Sequence, residues 1–390
     1  MILLDKPFVS DYLKDTILKN KFPLIDTEIS SQLDGAENLF SYNTQAAIIK
    51  LKKQIHPLLY TNSENSIEWM MKNLKFTDIP EKISLFKDKV KFRKLTEKLY
   101  PDFYYQEVSV DDIETLNISK FPKPFIIKPS VGFFSIGVYK ASDEKDWLHI
   151  KNLINKDLLK AKKIYPSEVL DISTFIIEEC FEGTEFAFDA YYNEQGEPVV
   201  LNTFEHLFSS KEDLSDRVYF TSKEVVEKHM GDFTRLLEEI GGLSHLRNFP
   251  VHVEVRINKQ GKIFPIELNP MRFGGWCTTA DLSFHAYGFN PYEFYFHQKK
   301  PDWKKLLKDM NDKTFSIVVL DNCSGLDSNQ IQEFNFKKLM SEFEKPLDLR
   351  KIDFNKYPVF GFLFTETSRG NFSELEKILR SDLRDYIILK

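Results

Sequence analysis

The stretch "VHVEVRINKQGKIFPIELNPMRFGG", residues 251–275, limits the fold more than any other part of the chain. Its first half alternates strictly, so Val251, Val253, Val255 and Ile257 fall on one face of a strand and His252, Glu254 and Arg256 on the other. Its second half sets Phe264, Ile266 and Leu268 against Glu267 and Asn269. Two such runs around "NKQG" read as an antiparallel hairpin with one apolar and one polar face. An even-numbered turn pairs Ile257 with Lys262 and His252 with Glu267, which gathers Glu254, Glu267 and Asn269 on one face; a bulge in the turn breaks that parity. Crowded carboxylates repel, and one takes up a proton unless a cation lies between them. Carboxylate and amide oxygens are hard ligands that suit Mg²⁺, which also shares phosphate oxygens. The competing reading is a solvated acidic face paired with Lys and Arg, and the hairpin alone does not choose.

The formal charge of -6 argues against a general nucleic-acid binder, which needs a basic surface. Cys180, Cys277 and Cys323 show no C-x-x-C spacing, which argues against structural zinc and a disulfide framework and fits a reducing cytosol. No apolar run approaches the length of a membrane span, and "MILLDKPFV" is too short for a signal peptide. A cytoplasmic protein without a membrane or nucleic-acid partner is the expectation.

Strand and helix alternate through about residue 75: "MILLDK", then "VSDYLKDTILKN" with Ser10 as N-cap, then "FPLIDT", then "HPLLYTNSENSIEWMMKNL". That predicts an α/β layer of parallel strands, whose ligand edge carries Ser63, Glu64 and Asn65. Neither G-x-G-x-x-G nor a P-loop occurs. "KDKVKFRKLTEKLY" reads as a basic helix and "KPFIIKPSVGFFSIGVYK" as strand, Gly loop, strand. "DISTFIIEECFEGTEFAFDAYY" gives two strands, and a helix over 222–240 is expected to stop at Gly241-Gly242. Later strands fall at "FSIVVL" and "PVFGFLFTET", with helices near 328–343 and 371–382.

Lys128 stands at a strand end before Ser130, Gly132, Ser135 and Gly137, a loop whose amides can approach a phosphate. The hinge at 178–181 can offer a backbone C=O and N–H to an adenine edge, and Glu185 can accept from ribose hydroxyls. Ordinary surface charge is the alternative for Glu178, Glu179 and Glu182.

Taken in order, these segments resemble the ATP-grasp superfamily, which includes D-alanine–D-alanine ligase, biotin carboxylase and many peptide-forming ligases. The resemblance covers residues 87–285, and 1–86 resembles the family's preceding α/β domain. It implies an α/β (α+β) fold: an N-terminal α/β domain over 1–86, an ATP-grasp core over 87–300 with a small lid about 117–190, and a C-terminal extension over 301–390. It implies ATP held by Lys89, Lys128, Ser130, Gly132, Glu178, Glu179, Phe181 and Glu185. Lys91 competes with Lys89 as the first phosphate lysine. It implies Mg²⁺, with Mn²⁺ in its place, on Glu254, Glu267 and Asn269, and the thirteen-residue step between the two Glu is the family's. Arg272, after Pro270-Met271, is similar to the family's arginine clamp on phosphate or substrate carboxylate, in a shifted register. The segment from Lys128 to Glu178 is long for the family, and the tail after "GGWCTTADLS" matches little.

The activity implied is ADP-forming ligation of a small carboxylic acid or amino acid to an amine through an acyl-phosphate. Phosphoryl transfer alone, or ATP binding without turnover, are the alternatives. Arg256 and Arg272 would steady the γ-phosphate, a sheet-face salt bridge being the competing role for Arg256. His206 and Arg217 line the substrate pocket or are satisfied core groups, and Cys277 reads as a small core residue rather than a nucleophile. A zinc hydrolase on His252, Glu254 and His285 lacks the H-E-x-x-H spacing. A homodimer through the N-terminal layer is left open.

Overall fold

The computed structural model describes residues 1–35, 39–132, 137–161, 171–210 and 215–390, with backbone alone in 155–161 and 171–172. The expected alternation appears at once. Strands β1 (Ile2–Leu3), β2 (Leu24–Ile25), β3 (Ser41–Tyr42) and β4 (Tyr60–Thr61) form a parallel sheet in the order β3-β2-β1-β4. Helix α1 (Asp11–Asn20) starts where expected, with Ser10 accepting from the Leu13 amide. Helix α2 (Thr44–Leu51) and β3 lie in a stretch whose sequence carries no clear period. Helices α3 (Ile67–Asn73), α4 (Ile79–Lys87) and α5 (Lys89–Thr96) lead out of this layer.

A small antiparallel sheet follows: β5 (Tyr105–Ser109), β6 (Phe125–Val131), β7 (Tyr139–Ala141) and β8 (Asp171–Glu179), ordered β5-β8-β6-β7. Helix α6 (Glu144–Ala161) covers it, burying Trp147, Ile150 and Ile154 against Phe125 and Ile127.

The large antiparallel sheet begins with β9 (Thr184–Tyr192), β10 (Pro198–Val200), β11 (Phe204–Leu207) and β12 (Val218–Ser222). Helix α7 (Lys223–Ser244) separates these from the hairpin β13 (Phe249–Ile257) and β14 (Ile263–Pro270). α7 does not stop at Gly241-Gly242; it runs to Ser244 and ends on His245 in the left-handed conformation. Gly241 serves packing instead, because a Cβ there would sit 2.5 Å from the buried ring of Tyr192. Helix α8 (Thr278–Tyr287) follows the site loop, residues 271–277 after β14. Then β15 (Lys313–Asp321), β16 (Ile331–Phe334), β17 (Lys345–Lys351), β18 (Val359–Ser368) and β19 (Ile387–Leu389) complete the chain. The large sheet runs β14-β13-β9-β11-β12-β15-β18-β17, so three late strands extend the sheet that carries the hairpin. The single helix expected near 328–343 is broken by β16, which pairs with β19.

Candidate active site

The hairpin differs from its expected register in an instructive way. Its loop is odd, so Ile257 pairs with Ile263, Arg256 with Phe264 and Val255 with Pro265. Continued unchanged, that register would set Glu267 opposite Val253, on the core face. A bulge between Glu254 and Val255 inserts Ile266 as an extra residue, and beyond it Glu254 pairs with Glu267 and His252 with Asn269. The expected pairing of His252 with Glu267 is therefore wrong. The shared face of Glu254, Glu267 and Asn269 survives because the odd loop and the bulge cancel.

Three parts of the chain converge on this face. Asp88 caps α5 by accepting from the amides of Val90 and Lys91, which sets Lys89 at the helix start. Lys89 is buried, its Nζ 3.8 Å from Glu267 Oε2 and 3.4 Å from the Gly132 carbonyl. Lys91 points away and pairs with Ser84 and Asp88 at the surface. From the small sheet, Lys128 donates to Glu178 Oε2 at 2.6 Å. Ser130 and Gly132 follow it in buried positions, whereas Ser135 lies outside the described residues. From the N-terminal layer comes Glu64, on the turn after β4. It accepts from Lys87 at 2.6 Å and from Arg272, and the Asn269 amide nitrogen, oriented by its neighbours, lies 2.9 Å from Glu64 and 3.1 Å from Glu267.

Burial and the Glu267 charge, with Glu185 and Asp216 behind it, push the Glu254 carboxyl well above the usual range. Burial also acts to raise Glu267, but Lys89 and Lys87 outweigh it and hold Glu267 low. Glu64 is held far below the carboxylate range, because Lys87 and Arg272 overcome its burial. Burial lowers the Lys89 ammonium; Glu267 offsets part of that, and Lys128 and Lys87 push it down further. Among the described residues no three His, Cys, Asp or Glu side chains converge as a metal site. A cation here would rest on two carboxylates and an amide, a set that fits Mg²⁺ with phosphate oxygens.

The hinge is partly committed to contacts within the protein. Glu178 is buried, with Arg93 Nε at 2.5 Å and Lys128 at 2.6 Å, so it is not a surface charge. Glu179 is half-buried and Glu182 is exposed. The amides of Glu179 and Cys180 donate to Tyr104 and Pro124 carbonyls. Glu185 accepts from Arg256 at 2.8 and 2.9 Å and lies 3.1 Å from His206 Nδ1. These partners overcome burial and lower its carboxyl. A pocket of about 380 Å³ opens there, lined by Glu185, His206 and Phe208. Arg256, expected to project toward the metal, is instead the sheet-face ion pair, and it also donates to the Phe181 carbonyl at 3.3 Å.

Other expectations move too. Arg217 does not line this cleft; it fastens β12 to the C-terminal strands through Asp321 at 2.7 Å and the Ser381 carbonyl at 2.9 Å. Cys277 is buried, and burial with the Asp281 charge raises its thiol, which leaves it a core residue. The sequence reading missed Lys87, Arg93 and Asp189. Asp189 is fully buried and accepts from His252, Asn202 and the Gly274 amide, each at 2.8 Å. A lone carboxylate inside the apolar run "FAFDAYY" was its only signal.

Residues 121–280 match the ATP-grasp domain family. No curated protein matches the chain in sequence. Among solved structures, L-amino acid ligase from Bacillus licheniformis is similar with a TM-score of 0.66 at 15% identity, covering 100% of this chain and 98% of that one. Biotin carboxylase from Campylobacter jejuni gives 0.63 at 10%, over 100% and 91%. N5-carboxyaminoimidazole ribonucleotide synthetase from Thermotoga maritima gives 0.62 at 16%, over 100% and 98%. At these identities the likeness is one of fold, and it spans the three sheets that meet at Glu267. The chain therefore has the ATP-grasp fold, and its segment 121–280 matches the ATP-grasp domain family.

Proposed function

We propose that the protein is an ADP-forming ligase that activates a small carboxylic acid or amino acid with ATP and joins it to an amine. One observation carries the reading: Lys89 from α5 lies 3.8 Å from Glu267, Lys128 from β6 is near enough to help lower the same carboxyl, and Glu254 pairs directly with Glu267 on that face. We assign the small sheet as the lid over a nucleotide, within divisions at 1–86, 87–300 and 301–390. The similarity in fold to an L-amino acid ligase supports the choice of amide formation.

Lys89 and Lys128 neutralise phosphate oxygens, with Ser130 and Gly132 next to them. Lys128 has two N–H donors beyond its pair with Glu178. Glu179, Phe181 and the backbone of the hinge hold the adenine edge, and Glu185 the ribose. Arg272 has two N–H groups beyond Glu64 and Phe273 with which to clamp a carboxylate or phosphate. Glu254, Glu267 and Asn269 would hold Mg²⁺, or Mn²⁺, which supplies charge neutralisation at the phosphates. Arg256 is excluded from the phosphate role because Glu185 occupies it. In the reaction a substrate carboxylate oxygen bonds to the γ-phosphorus and ADP leaves. The amine nitrogen then bonds to the acyl carbon, losing a proton as phosphate leaves. Bringing anions together is the main barrier, and buried cations lower it.

The test is incubation with ATP, Mg²⁺ and a pool of amino acids and small carboxylic acids, reading ADP, phosphate and condensation products by mass spectrometry. Pool-dependent ADP and phosphate with a dehydrated adduct support the ligase. A phosphorylated product without free phosphate replaces it with a phosphotransferase. Absence of ATP binding removes the reading altogether.

A further inference from the structure

Arg93 lies on α5 one turn beyond Lys89, and it is 3% exposed. Its guanidinium packs over the ring of Phe264 at 4.7 Å, next to Phe103. Three of its donors are spent in three directions. Nε meets Glu178 at 2.5 Å, Nη1 donates to the Pro265 carbonyl at 2.9 Å and Nη2 to the Ile266 carbonyl at 3.1 Å. Pro265 and Ile266 are the bulge of β14, where the ladder is interrupted. Pro265 has no amide to give the ladder, and bulges are where strands accept proline. A buried carbonyl without a donor is costly, so something has to satisfy this corner. Only a planar fork reaches two adjacent carbonyls and a carboxylate together; a lysine ammonium is a single point charge.

The residue after the bulge is Glu267. The partner of Glu178, on its other oxygen, is Lys128. We propose that Arg93 is a positioning residue. It fixes the bulge beside Glu267 and ties it through Glu178 to Lys128. Divalent-metal affinity then depends on a side chain that need touch neither metal nor nucleotide. This inference rests on the nucleotide and metal reading given above.

The experiment is calorimetric titration of the full-length protein with ATP, once in EDTA and once across a Mg²⁺ series, for wild type and Arg93→Lys. Lysine keeps the charge for Glu178 and loses the fork. The Mg²⁺ concentration for half-maximal binding is expected to rise about tenfold or more, as for other residues that orient metal ligands. Affinity in EDTA stays within about threefold, and amide exchange rises over 263–270. An unchanged Mg²⁺ requirement overturns the inference. So does an equal loss in EDTA and in Mg²⁺, which would mean a merely structural role. If Arg93→Lys does not fold, Arg93→Gln, which keeps one planar N–H donor pair, goes through the same titrations; failure of both to fold also overturns it. Wild type that binds no ATP removes the nucleotide reading, whereas wild type that binds Mg²⁺ and ATP beside an unaffected Arg93→Lys removes the inference alone.

Discussion

Glu267 holds two opposed charges at once, since Lys89 lowers it while it raises Glu254. Glu267→Gln removes the charge at the centre of that arrangement. We expect ATP-dependent product formation to fall on the order of 100-fold or more. Its melting temperature should stay near that of wild type, because a repulsion is lost together with an attraction. Parallel rate and calorimetric measurements check both. Glu178 makes the clearest pH expectation. Burial raises its carboxyl, but Arg93 and Lys128 more than reverse this and hold it at about 2 against an ordinary 4.5. A folded value below the unfolded one gives stabilisation that is present above pH 4.5 and lost as pH falls toward 2. The amount is about 3 kcal/mol. Urea midpoints across that window should fall steeply for wild type and less for Glu178→Gln; parallel curves would mean the carboxylate is not held by the pair. Much of this was legible by residue type. Lys128, Glu254, Glu267 and Asn269 stand out because polar groups at the ends or polar faces of apolar strands have few structural uses, whereas Lys89, on a basic helix, is singled out only by the resemblance. Arg93 did not, since in "KVKFRK" basic residues alternate and nothing in the string says which one turns inward.

At the scale of elements, the two glycines of α7 separate propensity from packing. Gly241→Ala drives a methyl into the ring of Tyr192, which cannot retreat because its hydroxyl donates to the Leu237 carbonyl at 2.7 Å. We expect a loss of about 1–3 kcal/mol. Gly242 is exposed and has nothing within 4 Å of an added Cβ. Gly242→Ala should therefore stabilise by up to about 1 kcal/mol through helix propensity alone. Denaturant midpoints of the two variants should move in opposite directions. The pair was read from sequence as a stop signal because Gly-Gly usually is one. Helix–sheet contact is non-local, so the string does not contain it. The hairpin shows the same limit. Its alternation was plain, but its register depended on a bulge that Arg93 satisfies from another element.

At the scale of the molecule, the C-terminal strands are part of the sheet that carries the site. β15 pairs with β12 along Val218–Ser222, and Phe315, Ile317, Phe362 and Phe364 are buried in a core shared with Tyr60, Phe273 and Tyr292. Arg350 on β17 reaches Asp281 and the Trp276 carbonyl beside the site loop. A fragment ending at residue 300 should lack a cooperative thermal transition and aggregate, because β12 becomes an apolar edge; circular dichroism and light scattering decide this. The string by itself determined the parallel N-terminal layer, the α1 cap, the hairpin and the polar types of its face. Those follow from local periodicity, and each lies within a few residues of its own cause. Tertiary structure alone decided which oxygen or nitrogen each charge meets. It matched Glu64 with Arg272, Glu178 with Arg93 and Lys128, and Arg256 with Glu185. Those choices join residues far apart in the chain, and burial, not spacing, sets what an unpaired charge costs.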